Sequence, residues 1–201
     1  MLKVKKIAVT GGLAAGKTTV CHIFSELGAY VVSADEIVHQ LLSPNSAIGQ
    51  QVVSLLGSSI VSGSQFDRKK IAAKVFSQPT LLRALEEIVH PAVFNEIERR
   101  YQLVNQERKH PLFVAEIPLL YESEGEGRFD GVISVFADPE LCKKRFVQET
   151  HQDAQEFDKR MTRQIKPQQK IDRAQYTIEN NGNLQELKQI VKNLFSQLTK
   201  E

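Results

Sequence analysis

Two cysteines in 201 residues, Cys21 and Cys142, lie far apart, and neither belongs to a C-x-x-C pair. That excludes a disulfide framework and leads us to expect a reduced, cytoplasmic setting. The five histidines form no H-x-x-H or H-E-x-x-H spacing, so zinc has no sequence support. An excess of one charge is missing too. Lys and Arg number 26 against 24 Asp and Glu, and a net +2 gives no broad footprint for nucleic acid. Long apolar runs are absent. Residues 1–6 are basic, but the apolar stretch behind them ends at Thr10, too short for a secretory signal, and nothing approaches a membrane span. There is no internal repeat and no low-complexity tract. What remains, 41% hydrophobic and 25% charged residues, suits one domain with an insertion and a buried core.

Against that plain background one stretch stands out. Gly11-Gly12-Leu13-Ala14-Ala15-Gly16-Lys17-Thr18 follows the apolar run Ile7-Ala8-Val9. It matches G-x-x-x-x-G-K-[ST], the phosphate-binding loop, at the strand-to-helix junction the motif requires. Glycines let successive backbone N–H groups turn toward one point, where they bind the β-phosphate of a nucleotide. Lys17 would add positive charge between the β- and γ-phosphates, and the Thr18 hydroxyl would ligate Mg²⁺. A helical pattern over 19–27 follows. The stretch predicts a protein that binds a nucleoside triphosphate.

Short apolar, β-branched runs recur at 4–9, 30–32, 112–115, 132–136 and 176–178. They lack period-2 alternation, as strands buried on both faces of a parallel sheet do. Helical stretches separate them, which predicts an α/β fold. Asp138-Pro139-Glu140 reads as a helix start, with Asp138 capping. Leu184, Leu187, Val191, Leu194 and Leu198 mark one face of a final helix. The segment 36–110 is mostly helical and far longer than one crossover needs, so we expect it to be an acceptor-binding insertion. Leu81, Leu85, Ile88 and Ala92 mark a helix face within it, which Pro91 should kink or break. The polar segment 150–173 carries Lys159, Arg160, Arg163, Lys166, Lys170 and Arg173. Each alone reads as a solvated charge. Together, beside a phosphate loop, they suggest a lid that neutralises phosphates and excludes water.

Phosphoryl transfer to a hydroxyl needs a group that receives the acceptor's proton. Asp35 closes the second strand signal, where ligands of parallel sheets gather, and can serve; its plainer reading is a cap for a helix over 36–42. Arg145, within Lys143-Lys144-Arg145, reads as a phosphate contact or a surface charge. Glu116 ends the third strand signal and could assist Mg²⁺, although no run of four apolar residues leads into an Asp. Asn180-Asn181-Gly182 reads as a turn or as a loop against the adenine.

In this order the motifs resemble the dephospho-CoA kinase family over nearly the whole chain. Thr10-Gly11-Gly12 matches its TGG start, Ala34-Asp35 the end of D-A-D, and Asp67-Arg68 its L-D-R turn. His90-Pro91 matches its H-P helix break, and Pro118-Leu119-Leu120-Tyr121-Glu122 its P-L-L-x-E. Arg145 sits where the family has a phosphate-contacting arginine, and Asn181-Gly182 where it has N-x-G or N-G.

The resemblance implies a five-stranded parallel sheet in the order 2-3-1-4-5, flanked by helices. It divides the chain into a core of 1–35, 111–149 and 174–201, a CoA-binding insertion of 36–110 and a lid of 150–173. It implies ATP-dependent phosphorylation of the ribose 3′-hydroxyl of dephospho-coenzyme A, with Mg²⁺. Lys17, Asp35 and Arg145 would be catalytic. Thr10, the loop through Thr18 and Thr19, Arg163, Asn181 and Gly182 would hold the nucleotide, with Thr18 on the metal. Asp35, Arg68, His90, Pro118, Leu119 and Glu122 would meet the acceptor. Neither nucleic acid nor membrane is implied, and a monomer is favoured.

The chain departs from the family pattern at Leu13-Ala14-Ala15, where I-G-S is usual. Ser33 replaces the first Asp of D-A-D, and Ala174-Gln175 replaces A-D. Another small-molecule kinase, such as one for nucleoside monophosphates, shares sheet, loop and lid. A regulator that binds nucleotide without transferring phosphate is the alternative outside catalysis. A GTPase switch would need N-K-x-D, which is absent.

Overall fold

Ile7, Ala8 and Val9 are wholly buried because β1 (Lys5–Gly11) is the central strand of a five-stranded sheet. In the computed structural model, which describes residues 3–162 and 164–200, β1 runs parallel to β5 (Leu112–Glu116) on one side and to β6 (Gly131–Phe136) on the other. β2 (Tyr30–Ser33) pairs with β5, and β7 (Tyr176–Glu179) with β6. Numbered among themselves, the five strands run 2-3-1-4-5, as expected. A two-stranded hairpin, β3 (Val61–Ser62) and β4 (Gln65–Phe66), was not anticipated, and with it counted the sheet reads β2-β5-β1-β6-β7. Its two-residue strands are too short to carry a hydrophobic period.

The chain divides into two compact units, Ala34–Arg100 and the remainder. In the unit that holds the sheet, α1 (Lys17–Glu26) supplies Val20 and Phe24 to the core around β1. α9 (Leu184–Lys200) adds Leu187, Val191 and Leu198, with Leu194 packed against them. Leu184 breaks the expected stripe: it is 55% exposed, at the first residue of the helix. Asp138 caps α6 (Pro139–Thr150), accepting from the backbone N–H of Glu140 and Leu141, an interaction worth about 1 kcal/mol. α7 (Ala154–Met161) and α8 (Pro167–Arg173) occupy the segment expected to form a lid.

The second unit holds α2 (Ala34–Leu41), α3 (Ala47–Leu56), the hairpin, α4 (Arg68–Phe76) and most of α5 (Pro79–Glu107). Val52, Leu56, Ile60 and Val75 form its core, with Leu81, Leu85 and Ile88 against them. Of the expected kink or break at Pro91, the break does not occur: α5 continues through it. Pro91 removes one hydrogen bond, to the Glu87 carbonyl, but Val93, Phe94 and Ile97 beyond it are buried and keep the chain helical. The compact unit ends at Arg100 rather than at the expected 110. From Tyr101 onward α5 belongs to the sheet: the Tyr101 hydroxyl donates to the Val4 carbonyl at 2.9 Å, and its ring meets Phe113 edge-on.

Glu96 on α5 accepts from Arg99 Nε and Arg100 Nε, both at 2.8 Å. The Arg99 hydrogen bond, then that of Arg100, holds its carboxyl down to about 2 from an ordinary 4.5. A depressed carboxyl pKa gives stability that is complete above the unfolded value and lost as pH falls through the folded one. Glu96→Gln is therefore expected to lower unfolding stability at pH 7 by up to about 1 kcal/mol, the upper range for a solvent-screened pair. The gap between variant and parent should close between pH 4.5 and about 2 in urea titrations.

Candidate phosphate-transfer site

β1 ends and α1 begins around a tight turn that only unusual backbone can form. Gly11 has φ +144°, and a Cβ there would stand 2.0 Å from the Val135 carbonyl oxygen of β6. Gly16 has φ +96°, and its Cβ would meet Asn180 Nδ2 at 2.2 Å. Between them Ala14 takes φ 55°, a left-handed conformation that costs a non-glycine residue roughly 1–2 kcal/mol. That residue is the middle of the Leu13-Ala14-Ala15 departure, so the strain falls where the family pattern has glycine.

Lys17 opens α1 and is buried, its Nζ donating to the Gly12 carbonyl at 2.7 Å and to that of Gly11 at 3.4 Å. Thr18 Oγ1 donates to Glu116 Oε1 at 2.8 Å. Glu116 is also buried, at the end of β5, in register with Val9 on one neighbour and Ser33 on the other. Four apolar residues, Leu112 to Ala115, do lead into an acid here; it is Glu rather than Asp. Thr10, wholly buried, donates from Oγ1 to the Pro118 carbonyl at 3.2 Å.

A cavity of about 580 Å³ opens beside the loop, lined by Gly16, Lys17, Thr18, Thr19, Arg145, Asn180 and Gly182. Ala14, Leu184 and Leu187 give it an apolar side, which accounts for the exposed leucine at the start of α9. Arg145 reaches it from α6. Its Nη2 donates to the Asn180 carbonyl at 3.0 Å, while Nη1 is buried with no hydrogen-bond partner. A buried guanidinium N–H without an acceptor is costly, and here it belongs to a residue lining a cavity that already holds a lysine and a phosphate loop. The site has the donors to neutralise a polyphosphate and two oxygens, on Thr18 and Glu116, of the hard type that suits Mg²⁺.

Asn180, which the sequence offers only as part of a turn or a loop against the adenine, has a more specific task. Its Nδ2 donates to the Ala15 carbonyl at 2.9 Å, bracing the loop. Asn181, expected at the nucleotide, accepts from the Asp138 N–H at 2.7 Å and donates to Glu179. Gly182, beside it, lines the cavity with Asn180.

Other expected site residues are distributed as follows. Leu119 is exposed, and the Pro118 carbonyl accepts from Thr10 and from Lys170. Glu122 Oε1 accepts from the Ile165 N–H and from Lys170. Asp35, Arg68 and His90 all belong to the second unit. Asp35 is exposed in the first turn of α2, which starts at Ala34, so it is not the cap of a helix over 36–42. Arg68, the first residue of α4, donates to His39 Nδ1. His90 is half-buried on α5, beside Pro91. Pro91 lines a groove of about 770 Å³, together with Leu41, Ile48, Ile88, Ala92 and Asn95. This larger cavity lacks the loop and paired cations, so volume does not locate the phosphate chemistry.

Three of the cations of 150–173 have partners within the protein. Arg160 pairs with Glu156 and lies over the Phe146 ring, and Arg173 pairs with Glu126 over Tyr121. Lys170 is fully buried. Arg163 lies outside the described residues. Among those described, no cluster of three His, Cys, Asp or Glu could hold a metal ion, and no helix is long and apolar enough to cross a membrane.

A family model described as dephospho-CoA kinase matches residues 5–186. The dephospho-CoA kinase of Protochlamydia amoebophila is 51% identical over 199 residues, 98% of each chain. A crystal structure of a Thermus thermophilus protein has 30% identity and a TM-score of 0.81, covering 98% of this chain and 99% of that one. The Campylobacter jejuni dephospho-CoA kinase structure has 27% identity and a TM-score of 0.73, covering 97% of both.

Proposed function

This chain belongs to the dephospho-CoA kinase family, and from that premise we propose how its two units divide the reaction. The enzyme uses ATP to phosphorylate the ribose 3′-hydroxyl of dephospho-coenzyme A, the last step of coenzyme A biosynthesis, a reaction we place in the cytoplasm. The observation that carries the assignment of roles is the cavity shared by the phosphate loop, Lys17 and the unpartnered Nη1 of Arg145.

Backbone N–H groups of the loop bind the β-phosphate as ATP enters. The Lys17 ammonium exchanges the Gly11 and Gly12 carbonyls for phosphate oxygens, and Arg145 Nη1 gains the acceptor it lacks. Charge building on the transferring phosphoryl then meets two fixed cations in a partly buried site, where each counts for more than in water. Thr18, with Glu116 behind it, would hold Mg²⁺, which would supply positive charge against the phosphates. Glu116 leaves a single carboxylate at that pair of strand ends, since its register partner is Ser33.

The helical unit takes the acceptor, and its groove along Ile88, Pro91 and Ala92 suits the partly apolar arm of dephospho-coenzyme A. Asp35 follows the C-terminal end of β2 by two residues and receives the proton of the attacking hydroxyl. Segment 150–173 closes over the nucleotide.

ADP release from ATP and Mg²⁺ tests the reading, with dephospho-coenzyme A offered beside adenosine, nucleoside monophosphates and no acceptor. Release is expected only with dephospho-coenzyme A, with a product heavier by one phosphate. Release with a nucleoside monophosphate would keep the kinase and replace the acceptor. ATP binding without any acceptor-dependent release would make the chain a nucleotide-binding regulator.

A further inference from the structure

Lys170 is the most deeply buried charge among the described residues, with no exposed surface, and it stands in a segment of exposed polar residues. Its ammonium has three acceptors for its three protons: the Pro118 carbonyl at 2.9 Å, Glu122 Oε1 at 2.9 Å and Gln164 Oε1 at 3.3 Å. Two of these lead onward. The Pro118 carbonyl also accepts from Thr10 Oγ1, the residue before Gly11, and Ile117 N–H is bonded to the Val9 carbonyl at 2.9 Å. Glu122 Oε1 also accepts from the Ile165 N–H at 3.0 Å. One ammonium therefore joins the end of β1, the 117–122 loop and the chain entering α8.

Stability does not explain this choice of residue. A buried ion pair contributes little that apolar side chains of similar volume would not. Burial pushes the Lys170 pKa down, and the Glu122 carboxylate only partly restores it. What an apolar side chain cannot do is orient the Pro118 carbonyl that the Thr10 hydroxyl shares.

We propose that Lys170 is a positioning residue for phosphoryl transfer, setting the 164–166 segment and the strand end that launches the phosphate loop against one another. The proposal rests on the kinase reading above, and turnover of the unsubstituted enzyme with dephospho-coenzyme A is the control that would expose a failure of that reading separately.

Lys170→Met, Glu122→Gln and the double variant are compared by turnover, by KM for dephospho-coenzyme A and by melting temperature. Lys170→Met should lower kcat by about 10- to 100-fold, the range for a small misplacement of catalytic groups, with KM for dephospho-coenzyme A within about twofold. It should also melt lower, because Glu122 is left charged and unpaired. The double variant buries no unpaired charge and should regain the melting temperature while kcat stays low. Recovery of kcat along with melting temperature would overturn the proposal and leave a purely structural ion pair. So would a normal kcat in Lys170→Met. If Lys170→Met does not fold, kcat of the double variant decides: a loss supports positioning, a parental value refutes it.

Discussion

Lys17→Ala is expected to bind ATP weakly and to lose on the order of 10³-fold in turnover at saturating substrate, the scale for removing a preorganised group that meets charge only in the transition state. The basis is the resting geometry. The ammonium is held at 2.7 Å from the Gly12 carbonyl, inside the loop whose N–H groups bind phosphate, so its position is set before substrate arrives. Alanine removes the ammonium from those carbonyls and leaves Arg145 as the remaining cation among the described residues that line the cavity. Single-turnover kinetics separate the two effects: the deficit must appear in the chemical step as well as in ATP affinity. A variant that loses only acceptor affinity would remove Lys17 from the phosphate site.

Asp35→Asn should retain ATP binding and lose roughly 10²–10⁴ in turnover, the range for a positioned general base. Asparagine keeps the size of the side chain and forfeits its basicity. Structural consequences should be slight, since an exposed acid in the first turn of a helix is worth about 0.3–1 kcal/mol. The measurement is kcat with dephospho-coenzyme A alongside the melting temperature. A variant that turns over nearly as fast as the parent would reduce Asp35 to a favourable charge at the start of α2.

The sheet was legible because its three inner strands are buried on both faces. Runs such as Val132-Ile133 announce themselves without any partner being known, and their separation by helices then leaves few topologies. The phosphate loop was legible for a different reason: it needs particular backbone angles, and glycines at 11 and 16 record them. Residues whose role depends on a distant partner were harder. Lys170 looks like a solvated charge because nothing near it in sequence reveals Glu122 and Pro118. Asn180 is an ordinary turn residue until its bond to Ala15 is seen. Leu184 fits the apolar stripe of α9, yet it lies at the helix's end, against the cavity rather than the core. Pro91 would end a lone helix, and buried neighbours override it.

The bond from Asn180 to the Ala15 carbonyl spans 165 positions of sequence. The loop is made near the start of synthesis, yet the asparagine that braces it follows β7, the last strand of the sheet. β1 likewise waits for β5 and β6, both of which emerge long after it. Such long-range pairing slows folding, because wide loops must close before any contact rewards them. A nascent chain can carry the whole phosphate-loop signature on the ribosome and still have no braced site. Nucleotide can therefore stabilise this protein only late in its production, as a reward for having finished the sheet.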